Sequence, residues 1–262
     1  MNTLVLLHAI QDPLGLTVNR RAQKVFVNRR QYVFNPSDRN ALEAALRLGG
    51  HAAAVSPCRV TVVAFGGGPA EQVLRDARAM GAARAIQIKD SALQRADALA
   101  LTHVLQRVVE QLGNVDLVLS GGEVVDADLA QIGPRLAQAL DWPIILDAHR
   151  VQAGDGARRA VRAIAPRGAV FHNAEADLPA VITIARDSNK PRYAHAGRVV
   201  AAYTASHAVE VWNAADLGLS EAELTPVTKQ RDESFPPERE LGRRLEGDMD
   251  EMAQQLAEVI KQ

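Results

Sequence analysis

Apolar runs short enough to be strands alternate with helix-like segments along the first half of the chain. The strand-like runs are Leu4–Ile10, Arg59–Phe65, Arg84–Ile88 and Asp116–Ser120. The helix-like segments between them are one opened by Asn35, one ended at Met80 by Gly81, and one over about Arg95–Leu112. Such alternation is typical of a parallel sheet, because a crossover helix returns the chain before each new strand. The sequence therefore predicts an α/β fold, with a mostly parallel sheet and helices on both faces.

The pattern changes after Trp142. The stretch "AHRVQAGDGARRAVRAIAPRGAVFHNAEADLPAVITIA" alternates in polarity and contains turn signals, so we expect it to add antiparallel strands. Periodicity weakens from about Tyr203, and the polar stretch "RDESFPPERELGRRLEGD" reads as an extended arm. We expect an α/β domain over residues 1–203, and a linker, arm and terminal helix over residues 204–262.

The expected terminal helix lies near Asp248–Ile260 and has one apolar face, formed by Met252, Leu256, Val259 and Ile260. A helix with such a face and no core of its own needs a surface to lie against. The pattern alone favours a partner subunit and the chain's own domain about equally.

Composition excludes several classes of protein. Of the 262 residues 47% are hydrophobic, which is enough for a large core, and the formal net charge of -1 argues against a nucleic-acid partner. The single cysteine, Cys58, excludes an intramolecular disulfide. The apolar run near the N-terminus has no basic flank and is too short to span a bilayer. We therefore expect a cytoplasmic protein without membrane insertion.

The stretch "LVLSGGEVVDADLAQIGPRLAQAL", from Leu117 to Leu140, is a candidate ligand site. It reads as a buried strand, a glycine turn and a helix from about Leu129, whose first N–H groups could bind a phosphate. Asp126 and Asp128 stand beside that position and would repel an anion. Three interpretations of these two carboxylates stay open. They are charges that the helix dipole stabilises, metal ligands, or acceptors for ribose hydroxyls and loop amides.

No motif points to catalysis. The seven histidines show no metal-binding spacing, and the sequence lacks a GxSxG nucleophile elbow. The segment "FGGGP" is neither a P-loop nor a dinucleotide fingerprint, so we interpret it as a tight turn between strand and helix. "SGG" lacks the Asp-Ser pair of ATP pyrophosphatases, whose loop reads SGGxDS. We therefore expect no catalytic residues and no enzyme activity of the chain's own.

Five stretches resemble one family, in order and at its spacing. They are "FNPSDRNALEAALRL", "DARAMGAARAIQI", "DADLAQIGPRLAQALDWP", "LPAVITIARDSNKPRYA" and "PPERELGRRLEGD". Together they resemble the β subunit of electron-transfer flavoproteins. A plain adenine-nucleotide-binding regulatory module, related in fold to universal stress proteins, is the alternative. The C-terminal arm, the "NKPRY" segment and the length of the chain argue against it.

The resemblance implies a Rossmann-like, adenine-nucleotide-binding fold and a heterodimer with an α subunit that carries most of the FAD site. It implies a shuttle that takes electrons from a flavoprotein dehydrogenase to a downstream acceptor. It also implies an AMP site in this chain. The residues that match this site are Ala9, Asn35, Asp126, Asp128, Ala130, Gln131 and Gly133.

Two departures from the family pattern lead to narrower expectations. After "PRY", many members have LPxIMKAKKK, whereas this chain has "AHAGRVVAAYTASH". Ala196 or its neighbour replaces the anchoring Leu, and the lysine run is gone, which leaves Arg198 alone. We therefore expect a donor other than a generic acyl-CoA dehydrogenase, for example one that acts on methylated amines. The segment "DADLAQIGP" lies between the DDDxNQTG of AMP-binding members and the DGDTAQVGP of bifurcating members. Because Leu129 replaces the Thr hydroxyl, we favour AMP over a second FAD.

Overall fold

The computed structural model describes residues 1–27, 31–52, 58–125, 129–154, 159–229, 231, 234–237, 242 and 244–260. The strands are β1 (Asn2–Leu7), β2 (Ala9–Gln11), β3 (Leu16–Asn19), β4 (Lys24–Val27), β5 (Tyr32–Phe34), β6 (Arg59–Phe65), β7 (Arg84–Ile88), β8 (Leu117–Gly121), β9 (Ile144–Ala148), β10 (Arg150–Ala153), β11 (Ala160–Arg167), β12 (Val170–Asp177), β13 (Ala180–Ile184) and β14 (Glu210–Trp212). The helices are α1 (Pro36–Ala52), α2 (Gly68–Met80), α3 (Ala98–Leu112), α4 (Ile132–Leu140), α5 (Ala196–Thr204), α6 (Glu221–Leu224) and α7 (Met249–Ile260). Short 3₁₀ turns span Pro13–Gly15 and Ser91–Arg95.

A seven-stranded sheet in the order β14-β7-β6-β1-β8-β13-β9 forms the centre of the molecule, and all its pairings are parallel. Successive β1 side chains point to opposite faces, as in any strand. Val5 and Leu7 therefore join one buried cluster with residues of α1 and α2. Leu4 and Leu6 join a second cluster with residues of α3 and α4. The predicted fold class is confirmed.

The antiparallel additions are also present, but they are smaller than predicted. Within the predicted stretch, β10, β11 and β12 form an antiparallel sheet. The expectation of antiparallel strands was wrong for Ala180–Ile184, which is a parallel strand of the central sheet and pairs there with Ile144–Ala148. Every residue of Ala180–Ile184 is buried, because the strand lies between two neighbours and is covered on both faces.

The run predicted as one first strand is two strands. β1 ends at Leu7, and β2 then pairs antiparallel with β5. The break falls at His8, whose backbone N–H donates to the Asp38 carboxylate (2.7 Å) and not to a neighbouring strand.

The chain forms two compact units. The first contains Met1–Thr17 and Val25–Lys229, and the second contains Val18–Lys24 and Gln230–Gln262. The first unit continues past residue 203 and includes β14, which pairs with β7. The domain division at residue 203 stays a prediction. The terminal helix is present as α7, and none of its residues is buried.

Among the described residues, no helix combines the length and apolar character that a membrane span requires.

Candidate functional site

A cavity of about 270 Å³ lies beside the carboxyl ends of β1 and β6. The carboxyl ends of parallel strands are where α/β sheets place their ligands. The walls are mostly apolar, and they are formed by His8, Ala9, Phe65, Gly66, Leu93, Ala96, Leu101, Val124 and Leu129. A mostly apolar cleft with few polar groups suits a flat, aromatic ligand such as a purine.

The glycine-rich turn forms the β6 side of this cavity. Gly66 has φ +111°, a conformation that favours glycine. The Gln87 side chain fixes the turn, since its Nε2 donates to the carbonyl oxygens of Gly66 (2.8 Å) and Gly67 (2.7 Å). This geometry agrees with the interpretation of "FGGGP" as a tight turn.

Asp38 joins the ends of β1 and β8. Its carboxylate is fully buried and accepts three hydrogen bonds, from the backbone N–H of His8 (2.7 Å), from His8 Nδ1 (2.9 Å) and from the backbone N–H of Gly121 (3.0 Å). A buried carboxylate needs such donors to offset its lost hydration. Asp38 thus fixes the backbone around the cavity.

Asn35, a predicted nucleotide contact, is fully buried and holds the loop that follows β8. Its Nδ2 donates to the Glu123 carbonyl oxygen (2.8 Å), and its Oδ1 accepts from the Val125 N–H (3.3 Å). Because Val124 lies between those two residues and lines the cavity, Asn35 shapes the cavity wall.

Gly133, another predicted site residue, allows α4 to approach the sheet closely. A Cβ at this position would lie 2.8 Å from Thr183 Cγ2 and 2.9 Å from Ser120 Oγ. Gly121 has a similar role, because an added Cβ would lie 2.5 Å from Asp38 Oδ1. Gly133 brings the α4 backbone against side chains of β8 and β13, and Gly121 brings the β8 backbone against the first turn of α1.

The other residues predicted to bind the nucleotide lie either in the cavity wall or in the segment before α4. Ala9 lines the cavity. Ala130 and Gln131 precede α4, which begins at Ile132 and not at Leu129; the Gln131 Oε1 accepts from Arg135 Nε (2.8 Å). Asp126 and Asp128 lie outside the described residues, so their three interpretations stay open. Elsewhere in the described chain, no three His, Cys, Asp or Glu side chains are grouped as a metal site requires.

The segment that contains "NKPRY" is fastened to α1. Arg192 donates from Nε to Glu43 Oε2 (2.8 Å), and Asn40 Nδ2 donates to the carbonyl oxygen of Asn189 (2.7 Å). Burial would raise the pKa of Glu43, but the hydrogen bonds from Arg192 and Arg47 outweigh burial and hold this pKa below its ordinary value. These contacts therefore fix the position on α1 of the segment that leads into α5.

Helix α5 is in turn fixed to α2. Arg75 Nη1 donates to the carbonyl oxygens of Ala202 (2.6 Å) and Ala205 (3.3 Å), and Tyr203 OH donates to Asp76 Oδ1 (2.7 Å). Burial and this hydrogen bond raise the pKa of Tyr203. On α5, the side chain of Val200 is 61% exposed. The helix therefore presents an apolar side chain to solvent while hydrogen bonds hold it on α2.

The sequence analysis did not identify His8 or Asp38 as part of the site. Asp38 lies in the helix opened by Asn35 and His8 in the predicted strand Leu4–Ile10, and neither was given a role. A polar residue at the end of an otherwise apolar strand was the available signal.

Comparison with known proteins agrees with this architecture. A family model described as "Electron transfer flavoprotein domain" matches residues 23–217. The chain is 30% identical to the electron transfer flavoprotein subunit beta of Thermoanaerobacterium thermosaccharolyticum, over 99% of this chain and 98% of that protein. It is 33% identical to the caffeyl-CoA reductase-Etf complex subunit CarD of Acetobacterium woodii, over 72% and 69% of the two chains. It is 29% identical to Protein FixA of Azotobacter vinelandii, over 86% and 79%. The chain therefore belongs to the electron-transfer flavoprotein family and is one of its β subunits.

Proposed function

We propose that this chain is the β subunit of a heterodimer that carries electrons from a flavoprotein dehydrogenase to a downstream acceptor. In this role the chain helps to hold the FAD of an α subunit, binds one AMP itself and catalyses no reaction alone. The observation that supports the nucleotide site is the cavity at the carboxyl ends of β1 and β6. Family membership supports the electron-carrier role.

The size of the cavity favours AMP over a second FAD. Ligand pockets are commonly about 300–1,000 Å³, and this cavity of about 270 Å³ lies just below that range. A dinucleotide would also bring a pyrophosphate, and the described residues that line the cavity include no Lys or Arg to neutralise it. AMP has one adenine, one ribose and one phosphate, so it needs less volume and less neutralising charge than a dinucleotide.

The predicted site residues divide into two roles under this proposal. Ala9 contacts the nucleotide, whereas Asn35 and Gly133 shape the site from outside. Asp126, Asp128, Ala130 and Gln131 belong to the segment between β8 and α4, which under this proposal contacts the nucleotide.

The nucleotide content of the purified heterodimer tests this proposal. The full chain is co-expressed with its α subunit, the complex is denatured, and the released nucleotides are separated and quantified. We expect one FAD and one AMP per heterodimer. Two FAD and no AMP would contradict the choice of AMP, and a complex without flavin would contradict the proposed function as a whole.

A further inference from the structure

His8 has a hydrogen-bonding atom that nothing in the described structure satisfies. Its side chain is 10% exposed and lines the cavity. Nδ1 contacts Asp38 Oδ2 at 2.9 Å, whereas the buried Nε2 has no partner among the described residues. Buried polar atoms are nearly always satisfied, so an orphaned one on a residue that lines a cavity indicates that a ligand supplies its partner.

The Asp38 carboxylate fixes the proton on the other ring nitrogen. An ionised carboxylate only accepts hydrogen bonds, so Nδ1 must carry a proton towards Asp38. A neutral His8 would then present Nε2 as an acceptor, and a doubly protonated His8 would present it as a donor. The state of Nε2 therefore decides which ligand groups His8 can bind.

The charges around the cavity favour one of these states when an anion binds. Apart from His8, the described residues that line the cavity are all uncharged. Charged residues that adjoin Asp38 or a lining residue in the chain are Arg39 on α1, Arg95 and Asp97 on either side of Ala96, and Glu123 before Val124. Asp126 and Asp128 come next in the chain, outside the described residues. If His8 were neutral, the negative charge of the buried Asp38 would repel a bound phosphate, because no positive charge would compensate for it.

We propose that the binding of an anionic nucleotide in this cavity is coupled to the protonation of His8, which donates from Nε2 to the ligand and from Nδ1 to Asp38. This inference rests on the proposed AMP site and adds a dependence on pH to it. A histidine side chain can carry one or two ring protons in the physiological pH range. At higher pH the nucleotide must bring a proton with it, so its affinity falls by up to about tenfold for each pH unit.

Calorimetric titration of the full chain with AMP tests the coupling, at about pH 7 and pH 8.5, where the phosphate of AMP is already ionised. Buffers with different ionisation enthalpies give the number of protons taken up. For the wild-type chain we expect proton uptake and about tenfold weaker binding at the higher pH. His8→Lys keeps a positive charge over this range, so its affinity should change by less than about twofold. His8→Gln should bind AMP weakly and equally at both pH values.

Binding of AMP by the wild-type chain without proton uptake would overturn the inference and leave the proposed function intact. The same pH dependence in His8→Gln as in the wild-type chain would also overturn it. If the wild-type chain bound no AMP at either pH, the proposed function itself would fail. Circular dichroism of both variants verifies that they are folded, and His8→Lys keeps the test decisive if His8→Gln is unstable.

Discussion

At the scale of single residues, this site depends on close approaches that only small or buried polar side chains permit. Asp38 reaches the ends of two strands, and Gly121 leaves room for it. Gly133 lets the first turn of α4 touch the sheet. These residues act on the ligand through the backbone that they position.

Gly133→Ala should destabilise the chain. The added methyl group would lie 2.8 Å from Thr183 Cγ2, which is closer than carbon atoms normally approach. Overpacking of this kind costs about 1–3 kcal/mol of unfolding free energy. Gly68→Ala, in the first turn of α2, is a matched control, because no atom lies within 4 Å of its added Cβ. Urea denaturation should show a loss for the first variant and no loss for the second. Equal stability of the two variants would contradict the close packing.

Asp97 is a residue whose effect should depend on pH. Burial would raise its pKa, but hydrogen bonds from the backbone N–H groups of Ala100, Thr228 and Val227 and from the Thr228 hydroxyl lower this pKa to about 2. A carboxyl with a lowered pKa stabilises the fold above its unfolded pKa of about 3.9. That contribution disappears as the pH falls through the folded value.

Asp97→Ala should therefore be less stable than the wild-type chain at neutral pH, by about 1 kcal/mol for the lost N-cap of α3. Below about pH 4 the difference should shrink, because the wild-type carboxyl becomes protonated there. Denaturation curves at a series of pH values measure it. A difference that stays constant down to about pH 2 would show that ionisation of Asp97 does not matter.

At the scale of elements, we expect α5 to influence the choice of electron donor. Its support on α2 by Arg75 and Asp76 makes it a rigid surface. Ala196 begins this helix and is exposed, as is Arg198. The surface that α5 offers is therefore made by Val199, Val200 and Tyr203, without a large residue at its first position.

Transfer of electrons from a generic acyl-CoA dehydrogenase should be slow. An interface anchor such as a buried Leu contributes about 2 kcal/mol or more to binding, and Ala196 cannot replace it. The rate of flavin reduction in the heterodimer, measured with an acyl-CoA dehydrogenase and with an amine-oxidising flavoprotein, compares the two donors. Ala196→Leu should improve the first reaction without affecting the second. Efficient reduction of the wild-type protein by the acyl-CoA enzyme would refute the expectation.

The sequence predicted those strands and helices well whose bounds are marked by neighbouring residues. The bounds of β6 and β7 and the end of α2 agree with the sequence, because apolar runs and Gly81 mark them. β14 was missed, since three residues carry too little pattern and only its pairing with β7 makes it a strand. The contact between His8 and Asp38 joins residues 30 positions apart, so it depends on how β1 and α1 pack and could not be read from local pattern.

At the scale of the whole molecule, the terminal helix is the part that most needs a partner. Leu256, Val259 and Ile260 on α7 are between about half and three-quarters exposed. Scattered exposed apolar residues are common, but a continuous apolar stripe on a helix usually marks an interface. We propose that the α subunit covers this stripe.

Deletion of Arg231–Gln262 should weaken the heterodimer and leave the first compact unit folded. Leu256→Asp should have a smaller effect in the same direction, because it places a charge in the apolar stripe. Gln254→Asp, at an exposed polar position of the same helix, is the control. Analytical ultracentrifugation of each variant with the α subunit measures the affinity. Undiminished affinity of the deletion variant would assign α7 another role.

The order of the strands also has a consequence during synthesis. β9 follows β8 in the chain, yet β13 lies between them in the sheet. A ribosome that has released residues up to Ala148 has therefore produced a sheet whose β8 edge is open and whose β9 has no position to occupy. Neither strand can complete its pairing until Ala180–Ile184 has been synthesised. Unpaired strand edges of this kind are sites where nascent chains aggregate. The antiparallel strands β10, β11 and β12 can pair among themselves during this interval, because their contacts are local.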